Sequence, residues 1–587
     1  MLFVWLWAAM ASGATYQYNV EGVDLMVDIR SQIAQNPDQY RYSASPTDHD
    51  IYVLGQPSTG SRSRLRFSAS PKSTDEFYWG YYYDQDGNLT MGQCTIATYL
   101  TTMPFSRATV GNIQFGVWGW NESYTFPGEF VINGEMLVDF AAKPGTSPAE
   151  NVAVCSTIFT GKFSGAGTLG FHTGGLQYAS TIEIRGDVSQ FSGTYQVNKG
   201  TMKWGDGTGN VTLHSDSTVA LSDGGTAILD VAEGGTATLG KVVKTGTSTV
   251  TWSEFADTTN ISQLTVQGGG SDTTQADNGK LVLNPTSATV NIGSVYVGNG
   301  TFADLEIGGT GILNASTVLE LGSTSGGAGE VVQKSNTVAT KDLRLWTLSS
   351  GTLSNGYILE DGELLTKTIT LIFGRDGYAP ERTPRLELKG GTFATENFTT
   401  TGSFNLPRTL RNQGATIEIY DWTDFSQLTA ENRETQLGKY GTMTVKGNLE
   451  LESGEIVWDV LFDKDGTVLQ QDFLDVNKDA RLLGDYAGTD GNLVLGGDLI
   501  LNLLGTEEWA ENGVGSASVT LWDVANLVSG TFDNILIDGL PNGYVAQLAN
   551  GTLNLRDPAR VPEPGTWGMC LLGGVLLFLW RKSRKRG

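Results

Sequence analysis

Phe191-Ser192-Gly193-Thr194-Tyr195-Gln196-Val197-Asn198-Lys199-Gly200-Thr201-Met202 holds the organising pattern of the chain. Two Gly-Thr steps bracket an alternating run. Tyr195 and Val197 fall on one side of an extended strand and Gln196 and Asn198 on the other. Glycine supplies a positive-φ turn, threonine opens the pleat, and the apolar residue that follows points inward. The same step recurs at Gly167-Thr168-Leu169, Gly235-Thr236-Ala237, Gly300-Thr301-Phe302, Gly391-Thr392-Phe393 and Gly551-Thr552-Leu553. Period-two alternation flanks these turns, as in Val211 and Leu213, Val219 and Leu221, Leu281 and Leu283, Val290 and Ile292, and Leu305 and Ile307. Runs of about four to six residues are too short for helices. Alternation means that one face is buried and the other wet.

Composition agrees. The chain has 587 residues, of which 76 are glycine and 17% are charged, below the ~25% charged content common in globular domains. Such a sequence excludes a helical bundle and an α/β enzyme with long amphipathic helices. A stack of β-sandwiches and a β-solenoid both fit. Even spacing, glycine turns and scarce proline favour the solenoid, in which stacked coils share one apolar core.

The segments Phe163-Ser-Gly-Ala-Gly-Thr-Leu-Gly170 and Phe191 to Met202 resemble the autotransporter-associated β-strand repeat, F-S-G-x-Y-x-V-x-x-G-T-L, with Met202 where leucine is usual. That resemblance implies a right-handed parallel β-helix in a secreted protein. The expected fold class is therefore all-β: a right-handed parallel β-helix or β-solenoid over 160–555, with a β-rich cap or β domain over 15–159 and one C-terminal transmembrane helix. No C-terminal membrane β-barrel is suggested. Asn492 to Leu504, Val519 to Val528 and the stretch from Gly530 to Leu555 read as a compact last rung or cap.

Both ends carry addresses. Residues 1–14, MLFVWLWAAMASGA, read as a signal peptide lacking basic residues at its start. At the other end, a linker over 556–564 contains Pro562-Glu563-Pro564. The uncharged run 565–580, GTWGMCLLGGVLLFLW, follows, and the tail 581–587 holds Arg581, Lys582, Arg584, Lys585 and Arg586. Sixteen apolar residues are short against the usual ~20, and snorkelling cations extend the reach. The cations place the tail in the cytoplasm as a stop-transfer cluster and the body outside. The order of PEP, apolar span and Arg-rich end over about 561–587 resembles the PEP-CTERM protein-sorting signal. The resemblance implies recognition of Pro562, Glu563 and Pro564 by an exosortase-like sorting enzyme. It further implies passage through the inner membrane and delivery to the cell surface or extracellular matrix. Two prolines keep the motif extended and accessible.

Net charge is −25, with Lys+Arg 38 against Asp+Glu 63, which argues against a nucleic-acid partner. Met26 to Ala34 reads as a short helix. The aromatic-rich stretch 15–159 ends near Pro144 and Pro148. Tyr78, Trp79, Tyr81, Trp118 and Trp120 form a possible sugar-stacking platform toward extracellular polysaccharide, and the competing reading is that these rings fill a core. Cys94 and Cys155 read either as a disulfide in an oxidising compartment or as two buried free thiols. Asp84-Gln-Asp86-Gly87, Asp463-Lys-Asp465-Gly466 and Asp475-Val-Asn477-Lys-Asp479 resemble openings of calcium loops but lack the glutamate at position twelve, so Asp-rich turns are expected. His49, His172 and His214 suggest no triad. A β-helix lyase site among Lys203, Asp206 and Asp216 competes with an ordinary solvated face. No catalytic residue, metal or cofactor is expected. The reading is a non-enzymatic surface protein, with a glycan-binding module second and a polysaccharide lyase or hydrolase third.

Overall fold

The computed structural model describes residues 15–18, 24–27, 51–55, 64–67, 71, 73–98, 100–117, 123–140, 155–172, 180–222, 224–268, 279–323, 327–346, 355–372, 384–401, 409–422, 437–438, 440–479 and 488–559. They are 64% strand and 1% helix, and their large parallel sheets are compatible with a solenoid. Two compact units are present, one mainly up to Val332 and one mainly from Gln333 onward.

In the first unit each turn of chain lays down three short strands. Arg107–Val110, Asn112–Val117 and Ser123–Phe126 pair in parallel with Glu129–Ile132, Glu135–Phe140 and Cys155–Phe159 one turn later. Those pair in turn with Phe163–Gly165, Thr168–Phe171 and Ser180–Ile184. The sheets therefore run through both sides of Pro144 and Pro148, and the aromatic-rich stretch is built from the same parallel coils as the sequence after it. Met26 and Val27 belong to the strand Asp24–Val27, not to the expected helix, because Leu25 and Val27 alternate with Met26 in register with Leu65 and Phe67. From Thr236 the coils change form. Long strands Thr236–Lys244, Thr258–Val266 and Thr289–Val297 stack in register, and Asn260, Asn291 and Asn314 form a ladder of side-chain amides with spacings of 3.0 and 2.9 Å.

The Gly-Thr step acquires a different explanation here. Thr168 N donates to Gly134 O at 2.8 Å, and Thr194 N donates to Gly167 O at 2.8 Å, one coil back each time. A Cβ on Gly167 would lie 2.1 Å from Gly134 O, and one on Gly193 would lie 2.0 Å from Gly167 O. At these two positions glycine is required by the close approach of successive coils; Gly391 combines the same approach, 2.3 Å from Gly362 O, with the positive φ of 70° that the sequence suggests.

Many inward positions in the early coils of the first unit are aromatic. Phe77, Trp79, Phe105, Phe115, Phe126, Phe130, Phe159 and Phe163 are all buried, and Phe130 stacks on Phe163 at 5.3 Å and 14°. Further along, Val, Leu and Ile take over these columns.

In the second unit Thr337–Trp346, Glu363–Ile372 and Thr392–Thr401 pair in parallel. Another ladder runs from Thr409–Glu418 through Asn448–Phe462 and Asp498–Leu504 to Asn534–Asp538. Ser516–Thr520, Thr552–Arg556 and Val545–Ala549 form an antiparallel sheet near the end of the described chain. The four-residue helix Trp509–Asn512 is anchored by buried Trp509, whose Nε1 donates to Asp463 O at 3.0 Å.

Candidate functional site

The sorting residues Pro562, Glu563 and Pro564, the apolar run 565–580 and the cations Arg581, Lys582, Arg584, Lys585 and Arg586 lie outside the described residues, as does the leader 1–14. Among the described residues no helix is long and apolar enough to cross a membrane. The approach to the motif is defined. Asp557 N donates to Gly515 O at 2.9 Å, and Asp557 Oδ1 accepts from Ala559 N at 2.9 Å. The chain thus leaves the antiparallel sheet from a tied position immediately before the PEP segment.

At the centre of the aromatic stretch burial favours the reading in which the rings fill a core. Trp79 is fully buried, and its ring meets Phe77, Phe105, Phe115 and Phe130 at 5.5, 5.5, 5.6 and 6.1 Å. Tyr81 is also buried, and half-buried Tyr78 packs edge-on against it at 5.9 Å. The cause is the pleat: Phe77 and Trp79 share its inward face and Tyr78 the outward one. Trp118 and Trp120 lie outside the described residues.

The cysteines stand on different sheets. Cys94 is buried opposite Ile113, which is opposite Met136, whereas Cys155 begins the third strand of the Met136 turn. Two rungs separate them, roughly 9–10 Å along the stack. That exceeds the ~7 Å limit for a disulfide without backbone movement, so the backbone spacing disfavours the first of the two readings.

The two Asp-Gly segments are matching hairpin turns. Asp84 Oδ1 accepts from the backbone N–H groups of Asp86 and Asn88 at 3.0 and 2.8 Å, and Asp463 Oδ1 accepts from Asp465 and Thr467 at 2.9 and 2.7 Å. The bonds from Asn88 and from Thr467 hold the two carboxyls below their usual range. Asp475 lies in the strand Phe473–Asn477, and Asp479 is buried with its N–H donating to Asp490 Oδ2 at 2.8 Å. Among the described residues no group of three or more His, Cys, Asp or Glu is placed to hold a metal. His214 is beside Asp216, His172 is beside Gln114 at 3.5 Å, and His49 lies outside the described residues.

An opening of about 330 Å³ lies in the first unit between residues 184–189 and 204–212. It arises where a ladder breaks. Gln190–Phe191 pairs back to Phe163–Gly165, whereas Val211–Thr212 pairs forward to Thr236–Lys244. The loop between is drawn forward too: Gly207 N donates to Asp230 O at 3.0 Å and Ala232 N to Gly209 O at 3.1 Å. Arg185, Asp187, Asp206, Thr208 and Asn210 line the opening. Bonds from Thr208 lower the Asp206 pKa, and those from Ser189 lower the Asp187 pKa, so both are anionic at neutral pH. Of the three residues considered for a lyase, only Asp206 is here. Lys203 pairs with Asp230 at 2.6 Å, and Asp216 is exposed beside His214. The glycine-dense loop Gly205-Asp-Gly-Thr-Gly-Asn210 was the available sequence signal for this opening.

In the second unit Asp472 is buried. Its oxygens accept from Gly441 N at 3.0 Å and Asp459 N at 2.7 Å, and burial, aided by Asp459 and Glu418, pushes its pKa up to about 8.

A search of curated proteins finds no match to the chain. Residues 560–585 match the PEP-CTERM protein-sorting motif, which marks the chain as a substrate for exosortase-type sorting and an exported, envelope-associated protein.

Proposed function

We propose that this chain is a surface protein whose body is a right-handed β-solenoid with a structural role in the envelope, in the extracellular matrix or in adhesion, and with no catalytic activity. The observation that carries the reading is the sorting motif at 560–585 following a body of stacked parallel strands. Right-handedness follows from the strong preference of parallel crossover connections. The likeness to the autotransporter-associated repeat is supported by the stacking of its two segments, with Thr168 opposite Thr194 and Leu169 opposite Tyr195. The leader 1–14 opens export. The run 565–580 then halts in the inner membrane with Arg581 to Arg586 in the cytoplasm, and an exosortase-like enzyme acts at Pro562-Glu563-Pro564. A second reading, binding of extracellular polysaccharide, is favoured by the opening at 184–212, whose Asp187, Asp206 and Asn210 suit sugar hydroxyls better than the buried rings of 77–81 do.

Deleting residues 560–585 tests the main reading. Cell fractionation is expected to move the chain from the surface fraction to the periplasm or to degradation. Unchanged surface delivery would remove the sorting role.

A further inference from the structure

Eight large hydrophobic side chains are exposed among the described residues, and five of them, Leu527, Val528, Ile535, Leu536 and Val545, fall within 527–545. Monomeric proteins rarely gather exposed apolar groups in this way without a partner. The ladder explains their origin. Ile456, Leu499 and Ile535 occupy successive rungs of one inward column; the first two are buried, and Ile535 is 45% exposed. Leu449, Leu493 and Val528 form a second column that likewise ends uncovered. Among the described residues no strand pairs with the outer edge of Asn534–Asp538. The stretch read as a compact last rung or cap thus holds both a parallel rung and an antiparallel sheet: the sheet lies against Trp522 and Leu521, and among the described residues the rung keeps an open edge.

We infer that this edge joins a second copy of the chain about a two-fold axis at Leu536, the strands Asn534–Asp538 running antiparallel. The inference goes beyond the proposed function and does not depend on it. Self-complementarity selects the occupant. In this register Ile535 opposes Ile537 of the partner copy and Leu536 opposes itself, so the inward columns of both copies become continuous. Asn534 opposes Asp538. Asn534 uses one amide hydrogen on Asp498 at 2.8 Å, and Asp538 uses Oδ1 on Gly539 N at 2.9 Å, which leaves a donor and an acceptor to meet across the axis. A parallel, in-register copy would instead set Asp533 and Asp538 against themselves, and like charges directly opposite destabilise a pair. A two-fold contact of this kind closes at the dimer and ends strand addition.

Cysteine cross-linking of the full chain in detergent tests the register, with the wild-type chain oxidised alongside as the baseline for its own three cysteines. Directly opposed residues fall within the ~4.4–6.8 Å of a disulfide. Leu536→Cys is expected to give a covalent dimer well above the baseline. Asn534→Cys alone lies four residues out of register, roughly 13 Å from its copy, and is expected to stay at the baseline until mixed with Asp538→Cys. Light scattering is expected to give twice the chain mass for wild type and the single-chain mass for Leu536→Lys. A monomeric wild type at micromolar concentration overturns the inference. So does equal cross-linking at 534 and 536, or a Leu536→Cys chain that stays at the baseline because residues 565–580 cover the edge.

Discussion

Replacing Phe130 with alanine is expected to lower the unfolding free energy of the first unit by about 3–5 kcal/mol. The ring sits at the crossing of two inward columns. It contacts Phe159 at 5.1 Å, Phe105 and Phe163 at 5.3 Å, and Trp79 at 6.1 Å. Phe159 shares its coil, Phe105 and Phe163 lie on the coils to either side, and Trp79 reaches it from two rungs back. Close-packed backbones fixed by Gly134, Gly167 and Gly193 stop the coils from collapsing into the space left behind. The loss then combines transfer of the ring with an unfilled cavity. Urea titration followed by tryptophan fluorescence reads it, because Trp79 lies beside the cavity. Tyr78→Ala, on the outward face of the strand that carries Trp79, is the comparison and is expected to shift the midpoint far less. A Phe130→Ala midpoint equal to that of Tyr78→Ala would remove the ring from the core.

The second large effect belongs to Asp472. Its carboxyl is protonated in the folded chain up to about pH 8, whereas an unfolded aspartate titrates near its usual ~3.9. Two N–H bonds favour the anion, and burial with Asp459 and Glu418 nearby outweighs them. The folded state therefore holds more protons across this window. The contribution of this group is complete below the unfolded pKa and is lost as pH rises through the folded one. Stability of the second unit is expected to fall between roughly pH 4 and 8, with a slope of up to about 1.4 kcal/mol per unit. Asp472→Asn removes that slope. At pH 4 the variant is less stable by about 1–3 kcal/mol, because its amide nitrogen faces a backbone N–H that loses its acceptor. Chemical denaturation at several pH values checks both halves, and an unchanged slope in the variant would assign the dependence to other groups.

Much of this architecture is legible in the sequence. Alternation at Tyr195 and Val197 and the Gly-Thr steps identify short stacked strands, and both residues are buried in the strand Thr194–Val197. Alternation within Glu76-Phe77-Tyr78-Trp79 equally implies that Phe77 and Trp79 point together into a core. What short-range pattern does not contain is which strand meets which. The space requirement at Gly193 exists only because Gly167 lies one rung away. The opening at 184–212 exists only because one ladder stops at Phe191 and another begins at Val211. Asp472 is buried only because Asp459, thirteen residues earlier, turns its N–H toward it across a hairpin. The open edge at Ile535 reads locally like any other buried strand, since what is missing is the next rung.

Everything rests on the order in which strands stack, and paired nitroxide labels on cysteines substituted for Thr168 and Thr218 measure it directly. Thr168 lies opposite Thr194, and Thr194 opposite Thr218, so two residues far apart in sequence are two rungs apart in space. Their backbones are expected to sit about 10 Å apart, with strong dipolar broadening of the electron spin resonance spectrum that vanishes on unfolding. A folded chain whose labels show no broadening would contradict the parallel-coil arrangement.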